Sequence, residues 1–286
     1  MAYFLSPSQI TCYATQLRSE LIALRRRLHQ YPELSWEEEQ TAKVIAEHLK
    51  SLGLTFQRDM GGHGLIAQIT GQLPGPTIAY RADMDALPIQ DALQAVYRST
   101  ALGISHACGH DAHMTIAVGV AKTLNAFRDN LHGTIRFLFQ PAEEALDGAH
   151  AMIACGALDD PTPRAVLALH AFPLPVGSIG ITPGICLAGM DEFQVKFCAP
   201  DAVLPNLIDM AISALVAISN QTPPATSQDF DFLIQRMIAG DNLKDSLYLS
   251  CWQNTGDSGS DAHISGLVSM TDYAARLDVQ HRIKQT

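Results

Sequence analysis

The chain has no Cys-x-x-Cys, and its six cysteines are scattered without paired spacing. It therefore does not read as a disulfide framework, and a reduced setting is expected. Basic residues are few, 19 Lys and Arg against 29 Asp and Glu, for a formal net charge of -10. No basic stripe is available to neutralise phosphates, which argues against nucleic-acid partners. The longest basic run, Arg25-Arg26-Arg27, reads as a solvated helix face, and the acidic balance reads as solubility. No uninterrupted apolar stretch is long enough to span a bilayer, so no membrane partner is expected. The start, Met1 to Pro7, has no charged leader followed by an apolar core, so no signal peptide is expected and a cytoplasmic location fits. There is no internal repeat and no low-complexity tract. A zinc deaminase is excluded, because neither His-x-Glu nor Pro-Cys-x-x-Cys occurs.

What remains is a globular composition, 47% hydrophobic and 17% charged over 286 residues, enough for one large domain or two ordinary ones. One stretch concentrates chemistry: His106-Ala-Cys-Gly-His-Asp-Ala-His113 holds a cysteine, three histidines and an aspartate. Cys108 and His110, two apart, can point the same way on an extended or turning backbone. Sulfur and imidazole are good ligands for borderline divalent metals. Met114 to Ala126 is apolar and helix-forming, which places the cluster at or just before a helix N-terminus.

Ile10, Tyr13, Leu17, Leu21, Leu24 and Leu28 recur at helical spacing, and Tyr31-Pro32 ends that helix. Ser35 with Glu38 reads as a capping box for a second helix running to about Leu52 and closed by Gly53. Strands are expected at Leu65 to Ile69, Thr77 to Arg81, Gly133 to Phe139, Ala165 to Leu169, Gly177 to Thr182, Asp191 to Phe197 and Ser246 to Trp252. Further helices are expected at Ile208 to Ile218, Asp229 to Ile238 and Thr271 to Val279. A linker is expected at Gln221 to Ser227, and a polar loop at Asn254 to Ser260.

Three of these strands end on polar residues: Asp83, the pair Glu143 and Glu144, and His170. Helices alternating with strands imply an α/β fold with a largely parallel sheet covered on both faces. All these groups could then meet along one sheet edge, where open α/β sheets bind ligands. Asp85 reads as a turn cap before Pro88, and His106 and His113 as neighbours of the site that are not ligands. His29, His48, His63, His132 and His150 read as packing or surface residues.

Five ordered motifs together carry a family resemblance. They are Arg25-Arg-Arg-Leu-His29 with Pro32-Glu-Leu34, Arg81-Ala-Asp-Met-Asp-Ala-Leu-Pro88, His106 to His113, Phe139-Gln-Pro-Ala-Glu-Glu144, and Leu169-His170. From about Leu17 to Phe193 the chain resembles the di-metal amidohydrolases of the aminoacylase, hippurate hydrolase and auxin-conjugate hydrolase type, relatives of carboxypeptidase G. The resemblance implies a metallo-exopeptidase-like catalytic domain holding two divalent metal ions, zinc or manganese foremost, with cobalt or nickel also permitted. It implies Cys108 as a ligand, the bridging one, with His110, Glu144 and His170 as terminal ligands. Glu143 becomes the general base, and Asp83 the carboxylate that orients a ligand histidine. The implied reaction is hydrolysis of the amide bond of N-acyl amino acids or small dipeptide-like substrates by metal-activated water.

The family's catalytic domain is interrupted by an α/β lid that makes dimer contacts and carries a glycine-rich histidine motif. Here Phe193 to Phe197 is expected as the lid's first strand, but Cys198 to Pro205 holds neither a glycine pair nor a histidine. Thr226-Ser-Gln-Asp-Phe230 is similar to the family's return into the catalytic domain, with Gln228 in place of glutamate. The expected organisation is therefore catalytic domain 1–188, a truncated lid remnant 189–225, and a C-terminal catalytic part 226–286. A truncated lid implies a monomer or a dimer unlike the family's. The last ligand is expected at His263, with His281 as competitor, although the proline of the family's His-x-Pro is missing. The alternative to an active enzyme is a degenerate relative that keeps the fold, and metal, with little catalysis.

Overall fold

A computed structural model of the chain describes residues 6–172, 174–181, 189–197, 203–220, 226–238, 247–255, 262–270 and 273–285. Contacts divide it into two compact units, Met1–Phe172 and Pro173–Thr286. No helix among the described residues is long and apolar enough to cross a membrane.

The first unit opens with helices α1 (Pro7–Gln16) and α2 (Arg18–Gln30). The single helix expected here breaks at Leu17, whose N–H bonds back to Ala14. A capping box of Ser6 and Gln9 starts α1, and α2 buries Leu24, Leu28 and His29. Helix α3 (Glu39–Ser51) ends at Leu52 and Gly53, as expected, with Gly53 at φ +69°. Its start is a correction. Ser35 Oγ donates to Asp85 Oδ2 at 2.7 Å instead of capping, and Glu38 is buried, its Oε1 accepting from the Ala142 N–H. The free amides at the head of α3 go to Glu33, whose carboxylate accepts from Gln40 N at 3.1 Å and Thr41 N at 2.7 Å. A carboxylate suits a helix N-terminus both as acceptor and as charge.

Five strands follow: β1 (Phe56–Gln57), β2 (Leu65–Thr70), β3 (Leu73–Asp83), β4 (His132–Gln140) and β5 (Ala165–Ala168). They form one sheet in the order β1-β2-β4-β3-β5. The β4-β3-β5 part is parallel, while β1 and β2 run antiparallel at the far edge. Helix α4 (His110–Ala126) crosses from β3 to β4, and α5 (Gly148–Ala154) lies between β4 and β5. Alternation along β2 sends Leu65, Ala67 and Ile69 to a core shared with Leu24, Leu49, Met114 and Phe137. Ile66 and Leu138 face the other way, onto Met152 of α5. The result is the expected α/β fold, its central sheet mostly parallel and flanked by helices.

The second unit contains β6 (Gly189–Phe197), α6 (Leu204–Val216), α7 (Ser227–Ile238), β7 (Leu247–Thr255), β8 (Ala262–Met270) and α8 (Tyr273–Gln285). Its sheet has the order β6-β8-β7, antiparallel throughout. Across the expected boundary at 225/226, β6 pairs with β8 from Gly189↔Met270 to Phe197↔Ala262. Leu204, Ile208, Leu249, Ile264, Val268 and Val279 form one core across that expected boundary. Gly177 to Ile181 form no strand, and Thr182 lies outside the described residues. Cys186, Cys198, most of the expected linker 221–227 and most of the expected loop 254–260 also lie outside them.

Glu33→Ala should destabilise the first unit by about 1–2 kcal/mol, read from its denaturant midpoint, since two amides of α3 lose their acceptor. In the second unit, Asp191 is held below the ordinary carboxylate range by Arg276, with burial working against it and a Gln280 hydrogen bond adding to it. A depressed carboxylate stabilises above its unfolded pKa of about 3.9 and loses that contribution as pH falls through its folded value. Wild type should therefore melt above Asp191→Asn at neutral pH, and the difference should close as acid is added.

Candidate metal centre

Parallel pairing sets the site. Asp83 at the end of β3 lies opposite Gln140 at the end of β4, and Arg81 lies opposite Ala168 at the end of β5. Whatever follows these three strands emerges on one edge: Met84-Asp85 after β3, Glu143-Glu144 after β4, and His170 after β5. Gly109 brings the cysteine–histidine cluster there from the side. It caps α4 at φ +87°, a left-handed conformation that glycine adopts without strain, and His110 is the first residue of the helix.

His110 is fully buried. Its Nδ1 donates to the main-chain oxygen of Asp85 at 2.8 Å, which directs Nε2 into the site. From Nε2 it is 3.6 Å to Glu144 Oε1, 3.7 Å to Glu143 Oε2 and 3.7 Å to Asp83 Oδ2. Neither His110 Nε2 nor Glu144 Oε1, both buried, has a hydrogen-bond partner. Cys108 Sγ lies 3.7 Å from His170 Nε2. One ligand atom each from Cys108, His110 and Glu144 falls within a 4.8 Å group, and so does one each from Asp83, His110, His113 and His170. An orphaned imidazole nitrogen and an orphaned carboxylate oxygen facing a thiol fit a divalent cation, since buried polar atoms otherwise find partners.

Electrostatics say the same. Burial pushes the Cys108 thiol up to about 12, and the carboxylates of Glu144, Glu143 and Asp83 add to it. Burial likewise raises Glu143, with His110 and Arg81 relieving it in part and Glu144 and Asp83 adding to the rise. Burial alone would lower His110, but Asp85, Asp83 and Glu143 raise it overall. Burial also works against Asp85, yet His110, the Ser35 hydroxyl and the Glu144 N–H bring it down to about 2. This crowd of carboxylates favours positive charge at its centre, and a bound cation would reverse the shift on the thiol.

Cys108, His110, Glu143, Glu144, Asp83 and His170 therefore stand together. His263 belongs to the second unit, where it is a strand residue of β8 paired with Lys196 and Asn254. His281 lies on α8, bonded to Gln285. Asp83 hydrogen-bonds neither His110 nor His170. Its Oδ1 accepts from His113 Nδ1 at 2.6 Å, and its Oδ2 from Arg81 at 2.7 Å. Asp85, expected as a turn cap, ties ligands: its carboxylate accepts from Ser35 and from the Glu144 N–H at 2.9 Å. His29, expected to pack, is buried and bonds Asp111 at 2.7 Å, where Arg25 also arrives at 2.8 Å. His106 is buried with neither ring nitrogen partnered. His113, expected as a neighbour of the site, stands three residues after His110 on one face of α4.

A mostly parallel sheet that gathers a thiol, imidazoles and paired carboxylates at its carboxyl edge is the arrangement of a metallopeptidase-type fold. The chain belongs to peptidase family M20/M25/M40, whose model matches residues 79–254. It is 45% identical to the N-acetyl-L-cysteine deacetylase of Bacillus subtilis (strain 168), over 63% of this chain and 43% of that protein. It is 41% identical to IAA-amino acid hydrolase ILR1-like 6 of Arabidopsis thaliana, over 72% of this chain and 45% of that protein. Among solved structures, the Bacillus subtilis YXEP protein, described as a dinuclear metal binding peptidase from the M20 family, superposes with a TM-score of 0.69. That match has 33% identity and covers 95% of this chain and 68% of that one. The chain thus spans less than half the length of these curated relatives.

Gly148 has a part in placing the carboxylates. A Cβ there would lie 1.7 Å from the Pro141 carbonyl oxygen, at the base of the turn that carries Glu143 and Glu144. Gly148→Ala should displace that turn and weaken zinc binding by about tenfold or more, measured by competition with a chromogenic chelator.

Proposed function

We propose that this chain carries the metal-ligating half of an amidohydrolase site that cleaves N-acyl amino acids or small peptide-like amides. The observation that carries the reading is the pair of buried, unpartnered atoms, His110 Nε2 and Glu144 Oε1, 3.6 Å apart beside Cys108. The named activities of the relatives support the substrate class. Cys108, His110, Glu144 and His170 would hold two divalent ions, zinc or manganese foremost.

A bound divalent cation supplies water acidified toward neutral pH and polarisation of the scissile carbonyl. Glu143 is the general base. Its carboxylate is partly exposed, with Oε2 3.7 Å from His110 Nε2, so it can take a proton from the attacking water and return it to the leaving nitrogen. Glu144, the adjacent carboxylate, is fixed through its main chain by Asp85, which leaves the neighbours different work. His110 is held with its lone pair inward by the Asp85 carbonyl.

The second unit, from β6 to α8, we propose to be the whole inserted lid-like unit. A single sheet and a single core support the undivided reading. On that reading His263 belongs to the lid-like unit's middle strand and is left out of the ligand set.

Removing Cys108 and His110 together by alanine should abolish stoichiometric zinc or manganese, measured by plasma emission after gel filtration. Unchanged metal content would sink the proposal. Glu143→Gln should retain metal while lowering turnover of N-acetyl and N-benzoyl amino acids about 10²- to 10⁴-fold. Metal binding in the wild type without any turnover would instead favour the degenerate relative. His263→Ala should leave metal content unchanged, whereas loss of one ion would return His263 to the ligand set.

A further inference from the structure

His113 lies within the same 4.8 Å group as Asp83, His110 and His170, so it could be a ligand itself. Its hydrogen bonds argue otherwise. The N–H of Ala171 donates to His113 Nε2 at 2.7 Å. A main-chain amide can only donate, so Nε2 carries a lone pair and the ring proton sits on Nδ1. That proton goes to Asp83 Oδ1, 2.6 Å away, while Asp83 Oδ2 accepts from Arg81 at 2.7 Å and Arg81 Nε donates to Gln140 Oε1 at 2.8 Å. Both ring nitrogens of His113 are therefore in use.

The other end of this chain of bonds matters more. Ala171 follows His170, and its carbonyl oxygen accepts from His170 Nδ1 at 2.7 Å. Residue 171 is thus held at its N–H by His113 and at its C=O by the His170 ring, which turns His170 Nε2 toward Cys108. His170 is otherwise exposed and follows the edge strand β5, so little packing fixes it. Gly109 lets the segment approach: a Cβ there would sit 3.1 Å from the Ala171 Cβ.

The geometry points to His113 as a positioning residue, locked as the neutral Nδ1–H tautomer, that couples the ends of β3 and β4 to the His170 loop through the Ala171 amide. This rests on His170 being a ligand. It excludes His113 from coordinating metal.

The test uses the full chain labelled with ¹⁵N-histidine. In zinc-free protein, long-range proton–nitrogen spectra should place the His113 proton on Nδ1, and the Ala171 amide should be slow to exchange. A proton on Nε2 overturns the inference. On adding zinc, the Nε2 signals of His110 and His170 should move to ligated positions while that of His113 stays. A zinc-ligated His113 overturns it.

His113→Gln keeps an acceptor near the Nε2 position, whereas His113→Asn keeps only a donor near Nδ1. Zinc affinity by chelator competition should fall no more than about threefold in the glutamine variant and about 10- to 100-fold in the asparagine variant. Equal losses, or the reverse order, overturn the inference. If both variants unfold, the wild-type tautomer still decides. If wild type binds no zinc, the proposed function fails, while the tautomer and the Ala171 amide still report on the strut.

Discussion

Four carboxylates, those of Asp83, Asp85, Glu143 and Glu144, crowd around one buried imidazole, and the rest of the first unit is arranged to tolerate that crowd. Burying like charges together is costly without compensation. Part of the compensation is visible: Arg81 and His113 satisfy Asp83, and Ser35 and the Glu144 amide meet Oδ2 of Asp85. Asp85 Oδ1 lies 3.3 Å from His110 Nδ1 without a hydrogen bond, and His110 Nε2 and Glu144 Oε1 are likewise unpartnered, so a cation is the natural completion at the latter two.

The fold makes the convergence possible with little local machinery. Three parallel strands end level with one another, so residues far apart in sequence reach one edge. Helix α4 adds His110 and His113 from one face, and its glycine cap keeps the loop ahead of it tight. The main chain takes part as much as the side chains do. The Asp85 carbonyl aims His110, and the Ala171 peptide joins His113 to His170. Backbone contacts of this kind leave no residue-type signature.

That difference explains what was legible. The dense cysteine–histidine stretch, the Glu143-Glu144 pair and the strand-terminal His170 stood out because their residue types are costly to bury without a purpose. The supporting contacts did not. Ser35 and Glu38 matched a capping box in spacing, yet Ser35 is drawn to Asp85 and Glu38 to the Ala142 amide, because tertiary partners outcompete a local cap. Glu33 was unreadable as the anchor of α3, since it accepts from an amide seven positions further on, beyond irregular chain. The three-part division of the chain rested on motif similarity around Phe230, while strand pairing between β6 and β8 joins segments that similarity had set apart.

By itself the sequence determined the class of fold and the chemistry available at the site, because hydrophobic periodicity and ligand-type residues are local properties. Only the tertiary structure decided which groups meet. Asp85, read as a turn cap, joined the site, and His113, read as a neighbour of the site, is tied to Asp83, because hydrogen-bond direction depends on residues distant in sequence.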